Sequence, residues 1–214
     1  MKENKKKMLD KISKLLKKNS GFESKVLTLA LQKLDEGDYV LEGHFVYTAN
    51  LKRLVYVLGD KASLAIPEGV EEIGDRAVMG KKSLTALTLP KTLKKIGRDA
   101  FSDCDALASV VVPASVEHIE AYAFSDCDSL KSVYFEDVPK ELSRKAFAEC
   151  ENLQVFSVPA DGVKAIRKAL HVNEDDLEFM VDGRKDEPKP AAPAKKEAAA
   201  PAKKEAAAPA KKAK

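Results

Sequence analysis

Apolar residues recur with a fixed period of 23 residues along the middle of the chain. Leucines occupy one phase of this pattern, and Ala-Phe pairs occupy another. The leucines are Leu84, Leu107, Leu130 and Leu153, and the pairs begin at Ala100, Ala123 and Ala146. A short fixed period predicts a solenoid, because each repeat forms one coil and buries its apolar side chains only against its neighbours. We expect residues 61–183 to form about five stacked coils with a C-terminal cap.

Alternating apolar and polar positions at the start of each repeat predict a short strand, and stacked coils align these strands in one parallel sheet. Every second side chain of such a strand points into the core. The predicted inward pairs are Leu87 and Leu89, Val110 and Val112, Val133 and Phe135, and Phe156 and Val158. The Phe residues of the Ala-Phe pairs are expected in a buried column. The predicted fold class is therefore α/β, a short leucine-rich solenoid with a parallel β-sheet.

The segments outside the solenoid have different patterns. Residues 1–36 predict a basic amphipathic helix and a second helix, since apolar residues recur at helical spacing between lysines. Residues 37–60 predict a β-hairpin that caps the first coil. Residues 184–214 repeat the unit PAKKEAAA, in which a proline interrupts every short helical stretch. This Lys/Ala/Pro-rich tail cannot bury a core and is predicted to be disordered.

The motif of the repeat is L-x-x-[LV]-x-[LV]-P-x-x-[LV]-x-x-I-[GE]-x-x-A-F-x-x-C, and it is most complete at 84–106 and 107–129. It resembles the BspA-like leucine-rich repeat, a class known mainly from bacterial and protist surface proteins. The resemblance covers residues 38–182 and implies a leucine-rich-repeat solenoid. The helical sequence at 163–170 is similar to the closing segment of such arrays, and residues 177–181 are expected to add a last strand.

Two outward columns of the predicted sheet are small and uncharged in a chain with 33% charged residues. One column reads Ala65, Thr88, Val111, Tyr134 and Ser157, and the other reads Ser63, Ala86, Ser109, Ser132 and Val155. Small residues could simply suit a tightly spaced sheet. The alternative is a non-catalytic protein–protein interaction module, since uncharged surface patches mark interaction sites. The predicted partner-binding residues are Thr88, Val111, Tyr134, Ser157, Ser109 and Ser132.

One further outward position alternates in charge from coil to coil. It holds Glu71, Lys94, Glu117 and Lys140. Opposite charges on neighbouring strands stabilise a sheet by a few tenths to about 1 kcal/mol per pair. This column is therefore expected to fix the stacking register and not to bind a ligand.

Charge is distributed unevenly, although the net charge of the chain is only +3. Residues 1–18 and 184–214 each carry +6, so the segment between them carries −9. An alternative function is nonspecific association with nucleic acid or another polyanion through these basic ends. The predicted contacts are Lys195, Lys196, Lys203, Lys204, Lys211 and Lys212. A third interpretation places the N-terminal helix on an anionic membrane surface.

The cysteines also follow the period of 23 residues. They are Cys104, Cys127 and Cys150. Because residues in one phase do the same structural job, we expect a column of buried, reduced and inert thiols, and their spacing does not match a zinc site. A coil spacing of about 4.8 Å leaves a strained disulfide between neighbours open. The acidic loops around the cysteines predict a solvated edge; calcium is the alternative, although the EF-hand spacing is absent. No metal and no cofactor is expected.

The sequence contains no catalytic motif. It has no G-x-S-x-G, H-E-x-x-H, Walker loop or G-x-G-x-x-G, and His44, His118 and His171 lie far apart. We therefore predict that the protein is not an enzyme. No secretion signal and no stretch of about 18 apolar residues is visible, so a cytoplasmic location is expected. The family resemblance implies the cell surface as the alternative.

Overall fold

A computed structural model of the chain describes residues 38–171 and 178–181. The first described element is a meander of three antiparallel strands, where the sequence indicated a two-stranded hairpin. β1 (Tyr39–Glu42) pairs with β2 (Phe45–Thr48), and β2 pairs with β3 (Arg53–Val57). The additional turn forms at Gly43, whose φ of 62° suits glycine without strain.

The coils that follow present two strand faces and not the single sheet that the sequence indicated. The first face holds β4 (Ser63–Ala65), β6 (Ala86–Thr88), β8 (Ser109–Val112), β10 (Ser132–Phe135), β12 (Val155–Val158) and β13 (Glu178–Val181). The second face holds β5 (Glu72–Ile73), β7 (Lys95–Ile96), β9 (His118–Ile119) and β11 (Glu141–Leu142). β3 pairs in parallel with β5, so the meander and the second face form one seven-stranded sheet.

Parallel pairing keeps the repeats in register from coil to coil. On the first face Val110 lies opposite Val133, and Val133 lies opposite Phe156. This face is divided, because β4 and β6 form a two-stranded sheet while β8, β10, β12 and β13 form a four-stranded sheet. The parallel stacking that the 23-residue period predicted is therefore confirmed for about five coils.

The core is a continuous apolar column enclosed by the coils. The predicted inward residues of the strands are buried, apart from Leu87, which is half-buried. The ring centroids of Phe101 and Phe124 lie 5.0 Å apart, and those of Phe124 and Phe147 lie 5.4 Å apart. Phe101 and Phe124 are fully buried, as predicted. Phe147 is only half-buried, because the chain beyond it continues as a helix instead of another Ala-Phe turn.

Turns return the chain from the second face to the first, and backbone hydrogen bonds join each turn to the next coil. The N–H of Phe101 donates to the carbonyl of Ala123, and the N–H of Phe124 donates to that of Ala146, both at 2.8 Å. Several turn residues adopt positive φ, namely Arg76, Gly80, Asp99, Asp103, Tyr122, Asp126 and Glu149. The hydrogen bonds satisfy the backbone of these turns inside the stack and fix the spacing of the coils.

The helix α1 (Val163–Leu170) packs at the far end of the coils. Ile166 and Leu170 are buried and Val163 is half-buried, a spacing that places them on one helix face. The helix and the last strand β13 confirm the sequence-based expectation for this end. The two predicted N-terminal helices and the predicted tail at 184–214 lie outside the described residues.

Candidate interaction surface

Most of the predicted partner-binding residues lie together on the first face. Val111 lies opposite Tyr134, and Tyr134 lies opposite Ser157. Ser109 and Ser132 are aligned beside them. All five side chains are half-buried at the sheet surface. We call this patch on β8, β10 and β12 the tyrosine face (Ser109, Val111, Ser132, Tyr134 and Ser157).

Thr88, the sixth predicted residue, is not part of the tyrosine face. It lies on β6 opposite Ala65 of β4, in the separate two-stranded sheet. The sequence does not announce this division, because the repeats on both sides of it share the same motif. The tyrosine face therefore begins at β8.

The tyrosine face is uncharged at its centre and charged at its margins. Three serine hydroxyls surround one aliphatic and one aromatic side chain. Lys131 precedes β10, and Glu136 and Asp137 follow it, all three exposed. An aromatic anchor inside a polar rim is the usual anatomy of a protein–protein interface. The patch can bury Tyr134 against a partner while the serine hydroxyls exchange hydrogen bonds with it.

The second face has the opposite character, because ion pairs connect its coils. Lys52 Nζ lies 2.8 Å from Glu71 Oε1, and Lys94 Nζ lies 3.1 Å from Glu71 Oε2. Lys140 Nζ lies 2.9 Å from Glu117 Oε2 in the next pair of coils. Hydrogen bonds from these lysines hold the pKa of Glu71 and of Glu117 below the usual value of 4.5. The alternating column thus pairs charges across neighbouring coils, as the sequence indicated.

A second charged column lies beside the first, and the sequence analysis did not single it out. Lys95 Nζ lies 2.7 Å from Glu120 Oε1, and this contact raises the pKa of Lys95. His118 Nδ1 lies 3.1 Å from Glu141 Oε2. Opposite charges one repeat apart were the available signal. The second face is therefore a mixed-charge surface whose side chains already have partners.

Acid is expected to weaken the stacking of the second face. The pKa of Glu71 is lowered in the folded protein, so its contribution is present above 4.5 and is lost as the pH falls through the lower folded value. Glu71→Gln should reduce the melting temperature slightly at neutral pH, and this difference should vanish in strong acid. Thermal unfolding across the pH range measures it, with the exposed Glu151→Gln as control. A Glu71→Gln difference that stays constant at every pH would contradict this assignment.

The three cysteines form a column, but they are not equivalent. All are free; Cys104 and Cys127 are fully buried, whereas Cys150 is half-buried. Cys127 Sγ lies 3.3 Å from the carbonyl oxygen of Phe101, and Cys150 Sγ lies 2.9 Å from that of Phe124. Burial raises the pKa of Cys104 to about 12. The expectation of one uniformly buried column therefore fits the first two thiols and not Cys150, which lies near the end of the stack.

Lys81 occupies the cysteine position of the first coil, a substitution that the sequence analysis did not use. It is only 3% exposed. Its Nζ lies 3.4 Å from the hydroxyl of Tyr56 and 4.8 Å from the centroid of that ring. Tyr56 belongs to β3, so the meander covers the start of the cysteine column.

Metal-binding and catalytic arrangements were sought among the same residues. Across 38–171 and 178–181, no three His, Cys, Asp or Glu side chains are grouped to hold a metal ion. An open groove of about 750 Å³ lies between α1 and the second face. Two of its charged residues, Lys140 and Glu120, already pair with Glu117 and Lys95. The groove thus consists largely of side chains that stabilise the second face.

The remaining candidates are distributed as follows. His44 packs on the ring of Phe45 at 4.0 Å, and His171 caps α1, so the histidines lie in different parts of the fold. The predicted polyanion contacts, from Lys195 to Lys212, lie outside the described residues. No helix within the described ranges has the length and apolar character needed to cross a membrane.

The sequence of residues 59–178 matches the family model for the BspA type leucine rich repeat region, in six copies. The match therefore includes more than half of the chain and coincides with the stacked coils. No curated protein matches the chain.

Several solved structures are similar in fold. A leucine-rich repeat protein from Eubacterium ventriosum is 19% identical over 69% of this chain and 40% of its own, with a TM-score of 0.52. A leucine rich cell surface protein from Faecalibacterium prausnitzii is 18% identical over 62% of this chain and 42% of its own, with a TM-score of 0.49. The leucine rich repeat protein of T. pallidum is 22% identical over 67% of this chain and 78% of its own, with a TM-score of 0.47. The chain thus spans about two fifths of the first two structures, and at these identities the likeness concerns the fold alone.

Proposed function

This chain belongs to the BspA-type leucine-rich repeat family, and we propose that it is a non-catalytic interaction module that binds a protein partner on the tyrosine face. Leucine-rich repeats generally act as protein-interaction modules, because a stack of coils offers an extended surface of repeated strands. The observation that carries the proposal is the contrast between the two faces. Ion pairs occupy the second face, whereas the tyrosine face has an uncharged centre.

The physical argument is one of desolvation. A partner that covers the second face must strip water from ion pairs, which offsets much of the binding energy. A partner that covers the tyrosine face removes Tyr134 and Val111 from water and leaves the charged residues at the rim. The exposed acids Glu136 and Asp137 then favour a partner with basic residues at the matching margin.

Tyr134→Glu is the expected loss-of-binding variant. A carboxylate at the centre of an interface must be desolvated, so capture of the partner should fall about tenfold or more. Tyr122→Glu is the matched control, because Tyr122 is also half-buried but lies off the first face, beside Arg98 and Lys145. Quantitative pull-down followed by mass spectrometry gives the capture ratios, and thermal unfolding checks that both variants remain folded.

The outcomes separate the two functions that the sequence left open. Capture that Tyr134→Glu lowers and Tyr122→Glu preserves supports binding on the tyrosine face. Equal capture by both variants would reject this face. Binding that instead disappears when residues 184–214 are deleted, and that weakens steeply with salt, would favour polyanion association through the tail lysines.

A further inference from the structure

Two neighbouring thiols of the cysteine column have different surroundings. Cys127 is fully buried, and Cys150, one coil further on, is half-buried. Their side chains are hydrogen-bonded to each other. We propose that Cys150 and Cys127 form an oxidation-sensitive pair, in which a hydroperoxide oxidises Cys150 and Cys127 then closes an intramolecular disulfide.

The stacking geometry suits this reaction. Neighbouring coils lie about 4.8 Å apart, which falls within the range of about 4.4–6.8 Å between the Cα atoms of disulfides. Both sulfurs contact the equivalent carbonyl of the preceding coil, Phe101 for Cys127 and Phe124 for Cys150. The two side chains therefore leave the backbone in the same direction. The sulfurs are adjacent before any bond forms, and neither coil has to leave the stack.

Reactivity differs between the two sulfurs in the required sense. When Cys150 is a thiolate, the S–H of Cys127 can donate to it, which lowers the pKa of Cys150 and raises the pKa of Cys127. The thiolate is the form that attacks a peroxide. Cys150 is also the thiol that solvent reaches. Cys104 has neither property, since it is fully buried and its pKa is raised to about 12.

The reaction proceeds in two balanced steps. The thiolate of Cys150 attacks one peroxide oxygen; an S–O bond forms, the O–O bond breaks, and the leaving hydroxide takes a proton to become water, so the sulfur is oxidised to a sulfenic acid. The sulfur of Cys127 then attacks the sulfur of Cys150. The S–S bond forms as the S–O bond breaks, and the hydroxyl leaves as water with the proton of Cys127. One hydroperoxide thus consumes two thiols.

The test uses the full chain, hydrogen peroxide and thiol labelling read by mass spectrometry. Before oxidation, one of the three thiols should label in the native state, and all three should label after denaturation. After oxidation, the protein should be monomeric and about 2 Da lighter, the mass of two hydrogens. Denaturation should then expose one free thiol, Cys104.

Two variants assign the chemistry. Cys127→Ala should stop at the sulfenic acid of Cys150, trapped by dimedone, with no loss of mass from a disulfide. Cys104→Ala is the matched control and should still form the link between Cys127 and Cys150. A link that involves Cys104, a disulfide between two chains, or native thiols that survive peroxide under conditions that oxidise free cysteine would each overturn the proposal. The experiments on unsubstituted protein keep it testable if either variant fails to fold.

Discussion

Replacing Phe124 by alanine is expected to lower the free energy of unfolding by about 3–5 kcal/mol. The ring is fully buried and stacks on Phe101 at 5.0 Å and on Phe147 at 5.4 Å. Backbone hydrogen bonds hold the coils on both sides at a fixed spacing, so the neighbouring rings cannot move in to fill the cavity. Urea unfolding followed by circular dichroism measures the change.

Phe147→Ala is the internal comparison for this prediction. The same atoms are removed from the same column, but Phe147 is half-buried, so less transfer energy is lost and solvent can occupy part of the space. The loss for Phe147→Ala should therefore be clearly smaller. If Phe124→Ala costs no more than Phe147→Ala, the coils relax more readily than the rigid stacking implies.

The first strand face and the core could be predicted from the sequence because their signal is local and repeated. Alternation within a strand decides which side chains point inward, and the period of 23 residues carries that decision from coil to coil. Val110, Val133 and Phe156 follow from these two rules alone, and the structure buries all three in register.

The second face could not be predicted in the same way. Its strands, such as Glu72–Ile73 and Lys95–Ile96, are two residues long, and alternation cannot be recognised over two positions. Their hydrogen-bonding partners lie a whole repeat away. The pairing of β3 with β5 is harder still, since the cap that contributes β3 lies outside the repeat.

The candidate surface shows the same limit. The repeat placed Val111, Tyr134 and Ser157 in one column correctly, but it also placed Thr88 there. Whether two neighbouring strands form a hydrogen-bonded ladder depends on small differences in coil spacing, which the motif does not encode. For the same reason the repeat treated Cys150 like Cys127, although its exposure depends on what packs beyond the last coil.

Ile166→Asp is expected to release α1 from the end of the coils. Ile166 is fully buried on the inner face of the helix, so a carboxylate there has to be desolvated without a matching charge. Together with the lost apolar contacts, this should destabilise the packed cap by about 3–5 kcal/mol. Because each coil contacts only its neighbours, the damage should spread inward from the last coil instead of unfolding the whole stack at once.

Limited trypsin digestion can detect that local release, since Arg167 and Lys168 lie within α1 and a packed helix resists cleavage. Ile166→Asp should be cut there much faster than the unsubstituted chain, while the coils that contain Phe101 and Phe124 stay protected. Ala165→Asp is the matched control, because it adds the same charge one residue away at an exposed position. Rapid cleavage of both variants would mean that the charge, and not the buried contact of Ile166, loosens the helix. Slow cleavage of both would mean that α1 is not held to the coils by its apolar face.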